Sequence, residues 1–266
     1  VRKLAKVRSY VNSLLIDTGF QIERSNLYLP FNFPVNKKFL KVPIQQRLTN
    51  DFLIRFSANC DVLIDVGANR GTFTEAFNVL NKNVTNYIFE PIPELYQFLK
   101  EKFNTPSVYK VYNLAISDSY GEAEFHIAAN DGQSSSLYEI GERHKKAAPH
   151  ALEVNKIKVP VSSLDLILKE EVFNKAFIKI DVQGAELQAI QGAIDTLKRS
   201  AAVHIEVSIQ SLYEGDTIGY KIWELLVANG FTLYGMDPWF RDPKANGELL
   251  QCDFFFIKNN LLTNNL

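Results

Sequence analysis

The residues able to do chemistry collect at the ends of short apolar runs. Asp65 sits near the end of Val62-Leu63-Ile64-Asp65-Val66, and Gly67, Ala68, Asn69, Arg70 and Gly71 follow as a G-x-N-x-G turn leading into Thr72-Phe73-Thr74-Glu75. Glycines there admit a tight turn and close approach of a ligand, and the next helix aims its free N–H groups at whatever the turn holds. The spacing is neither the dinucleotide G-x-G-x-x-G nor a phosphate loop ending in Gly-Lys-Ser/Thr, so no lysine stands ready for a triphosphate. A second acid, Glu90, ends Asn86-Tyr87-Ile88-Phe89, 25 residues after Asp65, and Pro91 stops that strand. One carboxylate at that place accepts from both hydroxyls of a ribose, so the two strand ends read together as a nucleoside site.

Further polar groups lie at later strand ends. Asn113 follows Val108-Tyr109-Lys110-Val111-Tyr112, where it either contacts an adenine edge or ribose or merely forms a turn. Asp181-Val182-Gln183-Gly184-Ala185-Glu186 follows Ala176-Phe177-Ile178-Lys179-Ile180, and Glu206 lies in Ala201-Ala202-Val203-His204-Ile205-Glu206-Val207. Successive acids make a polar rim, and their repulsion raises at least one pKa unless a cation or ligand hydroxyls intervene. Asp181, Glu186 and Glu206 are therefore candidates for acceptor binding or general-base work. His204, two residues before Glu206, faces the same side of its strand and joins them as a catalytic candidate. His144 reads as solvated and His126 as structural.

These groups need an open α/β sheet, because ligands of such sheets gather outside the strand C-termini at the point where strand order reverses. Helices are expected from Thr72, over Glu94–Lys100, from Ser163 (capped by Ser162 or Ser163), along Leu187, Ile190 and Ile194, and over Gly219–Val227. Phe231–Tyr234 and Cys252–Ile257 complete about seven strands, with residues 235 to 250 connecting the last two in a final antiparallel hairpin. From 121 to 161 the rhythm breaks: Ala123–Ile127 and Ile157–Val161 read as added strands flanking a polar loop that is either an acceptor-binding loop or functionally silent.

Residues 1–59 form an extension or lid, with helical patterns over 1–18 and 44–58 around the aromatic, Pro-rich stretch Tyr28–Pro34. Residues 60–258 form the main domain, its insertion near 128–156, and the Asn-rich tail from 259 to 266 reads as frayed.

Of the 266 residues 46% are apolar and 22% charged, the make-up of a soluble globular chain of formal net charge −1. Ten Lys/Arg stand against three Asp/Glu in residues 1–60, a local excess that either steers an anionic partner or is scattered surface lysine. Cys60 and Cys252 lack metal-site spacing and border apolar strands, which fits buried thiols in a reducing, cytoplasmic setting. No apolar run approaches the roughly 18 residues of a membrane span. The basic N-terminus has no signal-peptide core after it, and the missing initiator Met points to processing or a trimmed fragment.

The run Asp65-Val66-Gly67-Ala68-Asn69-Arg70-Gly71, then Phe89-Glu90-Pro91, Asn113-Leu114-Ala115, Ser163-Leu164-Asp165, Ile178–Glu186 and Glu206, resembles the successive motifs of FkbM-type methyltransferases. The resemblance covers about residues 60–258, apart from the insertion. It implies an open, mostly parallel, seven-stranded Rossmann-like sheet of the class I methyltransferase type, S-adenosyl-L-methionine as cofactor, and methyl transfer to a hydroxyl of a sugar, glycan or small metabolite. By position, Asp65, Gly67, Ala68, Asn69 and Gly71 would line the methionine part, Glu90 would hold the ribose, Asn113 and Asp181 would border the cofactor, and Gln183 and Glu186 would face the acceptor. The family often has Glu where Gln183 stands, and an amide serves neither as base nor as carboxylate ligand. A base or a divalent metal must take up the proton, and metal dependence stays open. RNA modification, a nicotinamide oxidoreductase and a non-catalytic interaction domain are the alternatives; the second lacks its glycine fingerprint, and the first has only the basic N-terminal excess.

Overall fold

The computed structural model describes residues 50–242 and 244–262. The expected helix over 1–18, the Pro-rich stretch at 28–34 and residues 263–266 of the tail lie outside the described residues.

Helix α1 (Asn50–Ser57) precedes β1 (Val62–Val66), and α2 (Thr72–Leu80), β2 (Thr85–Phe89), α3 (Pro93–Lys102) and β3 (Tyr109–Tyr112) follow in strand-helix alternation. After them come β4 (Ala115–Ile116), β5 (Gly121–Ala128), α4 (Glu142–Ala147), β6 (Glu153–Ser162), α5 (Leu164–Ile167) and β7 (Ala176–Ile180). The chain continues with α6 (Glu186–Gln191), α7 (Ile194–Lys198), β8 (Ser200–Ser208), α8 (Gly219–Ala228), β9 (Phe231–Asp242), β10 (Glu248–Lys258) and α9 (Asn259–Leu262).

The main sheet has seven strands in the order β3-β2-β1-β7-β8-β10-β9. Only β10 runs antiparallel to its neighbours, so the open, largely parallel α/β sheet expected from the sequence is what forms. Strand order reverses between β1 and β7, which opens a crevice above their C-terminal ends.

Strand alternation sorts the side chains by face. Val62, Ile64 and Val66 join Ile178, Ile180, Val203 and Ile205 in the larger core, roofed by α5 to α8 through Leu164, Ile190, Leu197 and Ile222. On the other face, Leu63 packs with Phe177, Ala202 and Phe255 beneath Phe73 and Phe77 of α2, and α1 inserts Phe52 and Leu53 into the same cluster. Both cysteines are buried free thiols, as expected, and burial pushes each up to about 12.

The added strands form as expected and, with β4, make a separate sheet in the order β4-β6-β5. Three local readings change. The helix face expected along Leu187, Ile190 and Ile194 is two helices, because Asp165 reaches across to accept from the N–H groups of Asp195 and Thr196 and caps α7 separately. Ser163 caps α5 as expected, accepting from the N–H of Leu166. Residues 235–250 are mostly strand rather than connection: β9 tolerates Pro238 because it is an edge strand, where a missing donor breaks no ladder. The tail is not frayed throughout, since Asn259–Leu262 forms a helical turn. Among the described residues, no helix is long and apolar enough to cross a membrane.

Candidate active site

At the reversal point lies a cavity of about 540 Å³. Gly67, Ala68 and Asn69 contribute one wall, Glu90 to Ile92 and Leu114 to Ile116 the next, and Asp181 to Gln183 with His204 and Glu206 the floor opposite. The insertion and the β9–β10 hairpin close the remaining side through Ser134, His144, Asp237 and Trp239. These two segments share a small core of Ala128, Ile140, Leu212, Tyr213 and Leu250, against which Phe240 packs.

Glu90 is 4% exposed, and its carboxylate accepts from the backbone N–H groups of Asn69 (2.8 Å) and Ile92 (2.9 Å). Each oxygen keeps a further lone pair, which suits a ribose diol, and the apolar strip Leu114–Ile116 suits a flat base. Burial raises the Glu90 carboxyl to about 7 against those two N–H bonds.

The turn glycines are explained mainly by the protein's own packing. Gly67 has φ +73°, and a Cβ there would stand 1.9 Å from the carbonyl oxygen of Asp181, so its bareness lets the tips of β1 and β7 close on each other. Gly71, φ +72°, is pressed by Leu99 of α3 and by Phe103 just past its end.

Not every expected site residue reaches the cavity. Asp65 is fully buried beneath it, accepting from Thr74 Oγ1 at 2.7 Å, while its other oxygen has no hydrogen-bond partner. Asn113 donates to the carbonyl oxygens of Glu90 (3.0 Å) and Pro91 (2.9 Å) and so braces the β2 tip. Glu186 accepts from the N–H groups of Gly184 and Val182 and holds the turn after β7; burial raises it to about 7. His144, expected to be solvated, is instead buried against Tyr213 and Phe240, and desolvation lowers it to about 4. Its helix carries the insertion's contact with the hairpin, which periodicity does not reveal.

Sequence reasoning missed a participant on the cavity floor. Lys179 is buried on the cavity floor, donating to the Gly67 carbonyl oxygen at 2.8 Å and standing 3.3 Å from Asp181 Oδ2 and 3.7 Å from Asp65 Oδ1. Burial by itself would lower its pKa, but the Asp181 and Asp65 carboxylates outweigh that and the net shift is upward. Its place two residues before Asp181 in a strand carried the signal.

Gln183, in left-handed backbone at φ 57°, donates from Nε2 to Asp181 Oδ1 (2.7 Å) and to Glu206 Oε2, while its Oε1 accepts from Tyr213 at 2.6 Å. Glu206 also accepts from Gln251 at 3.0 Å. Burial, then Asp181, Asp253 and Glu186, raise Glu206 well above the carboxylate range, which favours its neutral acid form. The raised carboxyls are Glu90, Glu186 and Glu206, and burial is the largest cause in each; the repulsion expected of an acidic rim ranks next only at Glu206. His204 Nε2 lies 3.4 Å from Asp253 Oδ2, with its ring against Phe73 and Phe255.

Outside the cavity, Glu124, His126 and Glu139 come within metal-ligand spacing of one another. Lys156 Nζ already bridges the two acids at 3.1 and 2.9 Å.

Glu90 and Glu186 titrate near 7 when folded, against 4.5 ordinarily, so below about 7 the folded state holds protons that the unfolded state releases above 4.5. Their contribution is therefore present at acid pH and lost as pH rises through that window. Thermal melts without ligand should show a loss of roughly 2–3 kcal/mol for each of the two groups between pH 5 and 8, about halved in Glu186→Gln.

The model of the methyltransferase FkbM domain matches residues 65–233, more than half of the chain. The chain belongs to the FkbM methyltransferase family. As an FkbM protein it is an S-adenosylmethionine-dependent methyltransferase, and the Gly67–Asn69 turn, the buried Glu90 carboxylate and the apolar strip fit that cofactor. It is 28% identical over 172 residues to the 2-O-methyltransferase NoeI of Sinorhizobium fredii, covering 62% of this chain and 70% of that protein. To the hexuronic acid methyltransferase AglP of Haloferax volcanii it is 27% identical over 151 residues, covering 55% and 56% respectively. Solved structures of similar shape include a SAM-dependent methyltransferase from Aquifex aeolicus, with TM-score 0.40, 10% identity and coverage of 84% and 93%. Another is the magnesium protoporphyrin IX methyltransferase of Synechocystis, with TM-score 0.42, 12% identity and coverage of 96% of both chains.

Proposed function

We propose that this FkbM protein methylates a hydroxyl oxygen of a sugar or glycan, with Asp181 as the group that takes the hydroxyl proton. The observation that carries the reading is the setting of Asp181. It is the more open of the two cavity-floor carboxylates, its side chain 34% exposed, with one oxygen steadied by Lys179 and the other by Gln183. Support for an oxygen acceptor comes from the relative named as a 2-O-methyltransferase, and support for a sugar from the one named for a hexuronic acid.

Bound S-adenosylmethionine supplies an electrophilic methyl group and leaves as a neutral thioether. An alcohol is a poor nucleophile at neutral pH, so a carboxylate within hydrogen-bond reach of the acceptor hydroxyl must receive its proton as the new C–O bond forms. Asp181 is held for that task and remains paired with Lys179. Glu206, in its acid form, serves the Gln183 bridge rather than competing as base. Lys179 fixes Asp181 and the cofactor turn to one ammonium, so cofactor and base are set by the same group.

Glu90→Gln keeps one acceptor oxygen and loses the charge. Calorimetry should show S-adenosylmethionine affinity weakened about 10- to 100-fold, the worth of a charged hydrogen bond. The functional test incubates the protein with labelled S-adenosylmethionine and simple glycosides, then treats the product with mild alkali. A methyl ether survives and an ester does not; alkali-labile label on carboxylates alone would refute the hydroxyl assignment.

A further inference from the structure

The strand register sets a row of acids beside the acceptor end. Asp253 of β10 stands opposite Glu206 of β8 and opposite Asp237 of β9, and Asp181 follows Ile180, the partner of Ile205, which brings it level with Glu206. All four line the cavity. With Glu206 in its acid form, the pair that sets like charge against like is Asp237 and Asp253, directly opposite each other, and such a pair across a sheet is destabilising, so a merely structural sheet has no reason to build it. Two positions back on the same face, in the register Asp65, Lys179, His204, lies the nearest positive charge. Lys179 is already engaged by Asp181, Asp65 and the Gly67 carbonyl, and His204 Nε2 faces Asp253. His204 Nδ1 is buried without a hydrogen-bond partner, in a residue 7% exposed that borders this end. Of the remaining basic lining residues, Arg70 belongs to the cofactor turn, and His144 and His150 belong to the insertion. Next to the acids on β9 is Trp239, half exposed, its indole 5.6 Å from the Phe240 ring.

We propose that this end of the cavity is a subsite for an uncharged or amino sugar that excludes uronic acids, with Trp239 as the face on which the pyranose lies and Asp237 and Asp253 as its hydroxyl acceptors. The inference rests on the sugar reading above. A carboxylate accepts only, so it recognises vicinal hydroxyls or an ammonium and repels another carboxylate. An aromatic ring at a pocket wall offers area to the C–H face of a sugar at little entropic cost. Of the two named relatives, the one acting on a hexuronic acid would therefore differ from this chain in what surrounds the acceptor.

The test uses the full chain, with S-adenosylmethionine binding measured first by calorimetry. Initial rates are then compared for methyl glycosides of glucose, galactose, mannose and glucosamine against the matching uronides. The expected result is kcat/KM at least about 100-fold higher for an uncharged or amino glycoside than for its uronide. Asp237→Asn combined with Asp253→Asn should shrink that gap below about tenfold, and Trp239→Ala should raise KM about tenfold with cofactor affinity unchanged. Uronides methylated as well as their uncharged partners would overturn the proposal while leaving sugar methylation standing. Cofactor uptake with label on RNA, or on no glycoside of either charge, would overturn the sugar reading and the subsite with it.

Discussion

Asp181→Asn is expected to lower kcat about 10²- to 10⁴-fold, the usual worth of a positioned general base, while S-adenosylmethionine affinity stays within about threefold. The carboxamide has the same shape and keeps the backbone carbonyl against which Gly67 packs, so the β1 and β7 tips stay closed. What it loses is the acceptor for the hydroxyl proton and one of the two carboxylates beside Lys179. The pH profile separates the two losses. If Asp181 is the base, the residual rate rises with hydroxide and loses its acid limb. A variant that only disturbed Lys179 would keep the limb and weaken cofactor binding. A kcat within threefold of the parent would transfer the role away from Asp181.

Gly67→Ala should be the most damaging single-methyl addition to the site. The left-handed backbone at φ +73° costs a residue with a Cβ roughly 1–2 kcal/mol. The added carbon also falls 1.9 Å from the Asp181 carbonyl oxygen, which belongs to the framework and cannot swing aside as a side chain would. The strand tips must part, and Lys179 must follow the Gly67 carbonyl or lose it. A loss of about 3–5 kcal/mol is expected, roughly a 10 °C fall in melting temperature, with cofactor binding lost by calorimetry. A melting temperature within 2 °C of the parent would show the close approach to be dispensable.

How much of this was legible before folding depended on whether the information was local. The turn after β1 and the acid after β2 are contiguous words, and both lie on one cavity as read. The placement of Asp65 was not legible, because the strand end and its face are separate facts: alternation turns Asp65 down onto Thr74, away from the opening. Asn113 offered two readings, and its amide is taken by the Glu90 and Pro91 carbonyls. The hairpin was expected but the length of its strands was not, because Gly235 and Pro238 interrupt the alternation that marks strands, while an edge position and register shifts accommodate both. With that length went Asp237 and Trp239. The burial of His144 depended on contacts with residues nearly seventy and a hundred positions away, Tyr213 and Phe240, which no local window contains.

The shared apolar core beneath the insertion and the hairpin constrains how this enzyme can be re-engineered. Ala128 and Ile140 on one segment fit Leu250 and Phe240 on the other, with Tyr213 between them. A chimera that borrows only the insertion from a relative inherits a mismatched underside and leaves a void or a clash below the opening. Exchanging both pieces together, with the 209–213 stretch they enclose, transplants a matched unit. Changes of acceptor within such scaffolds should therefore arrive as paired replacements distant in the chain and adjacent in space.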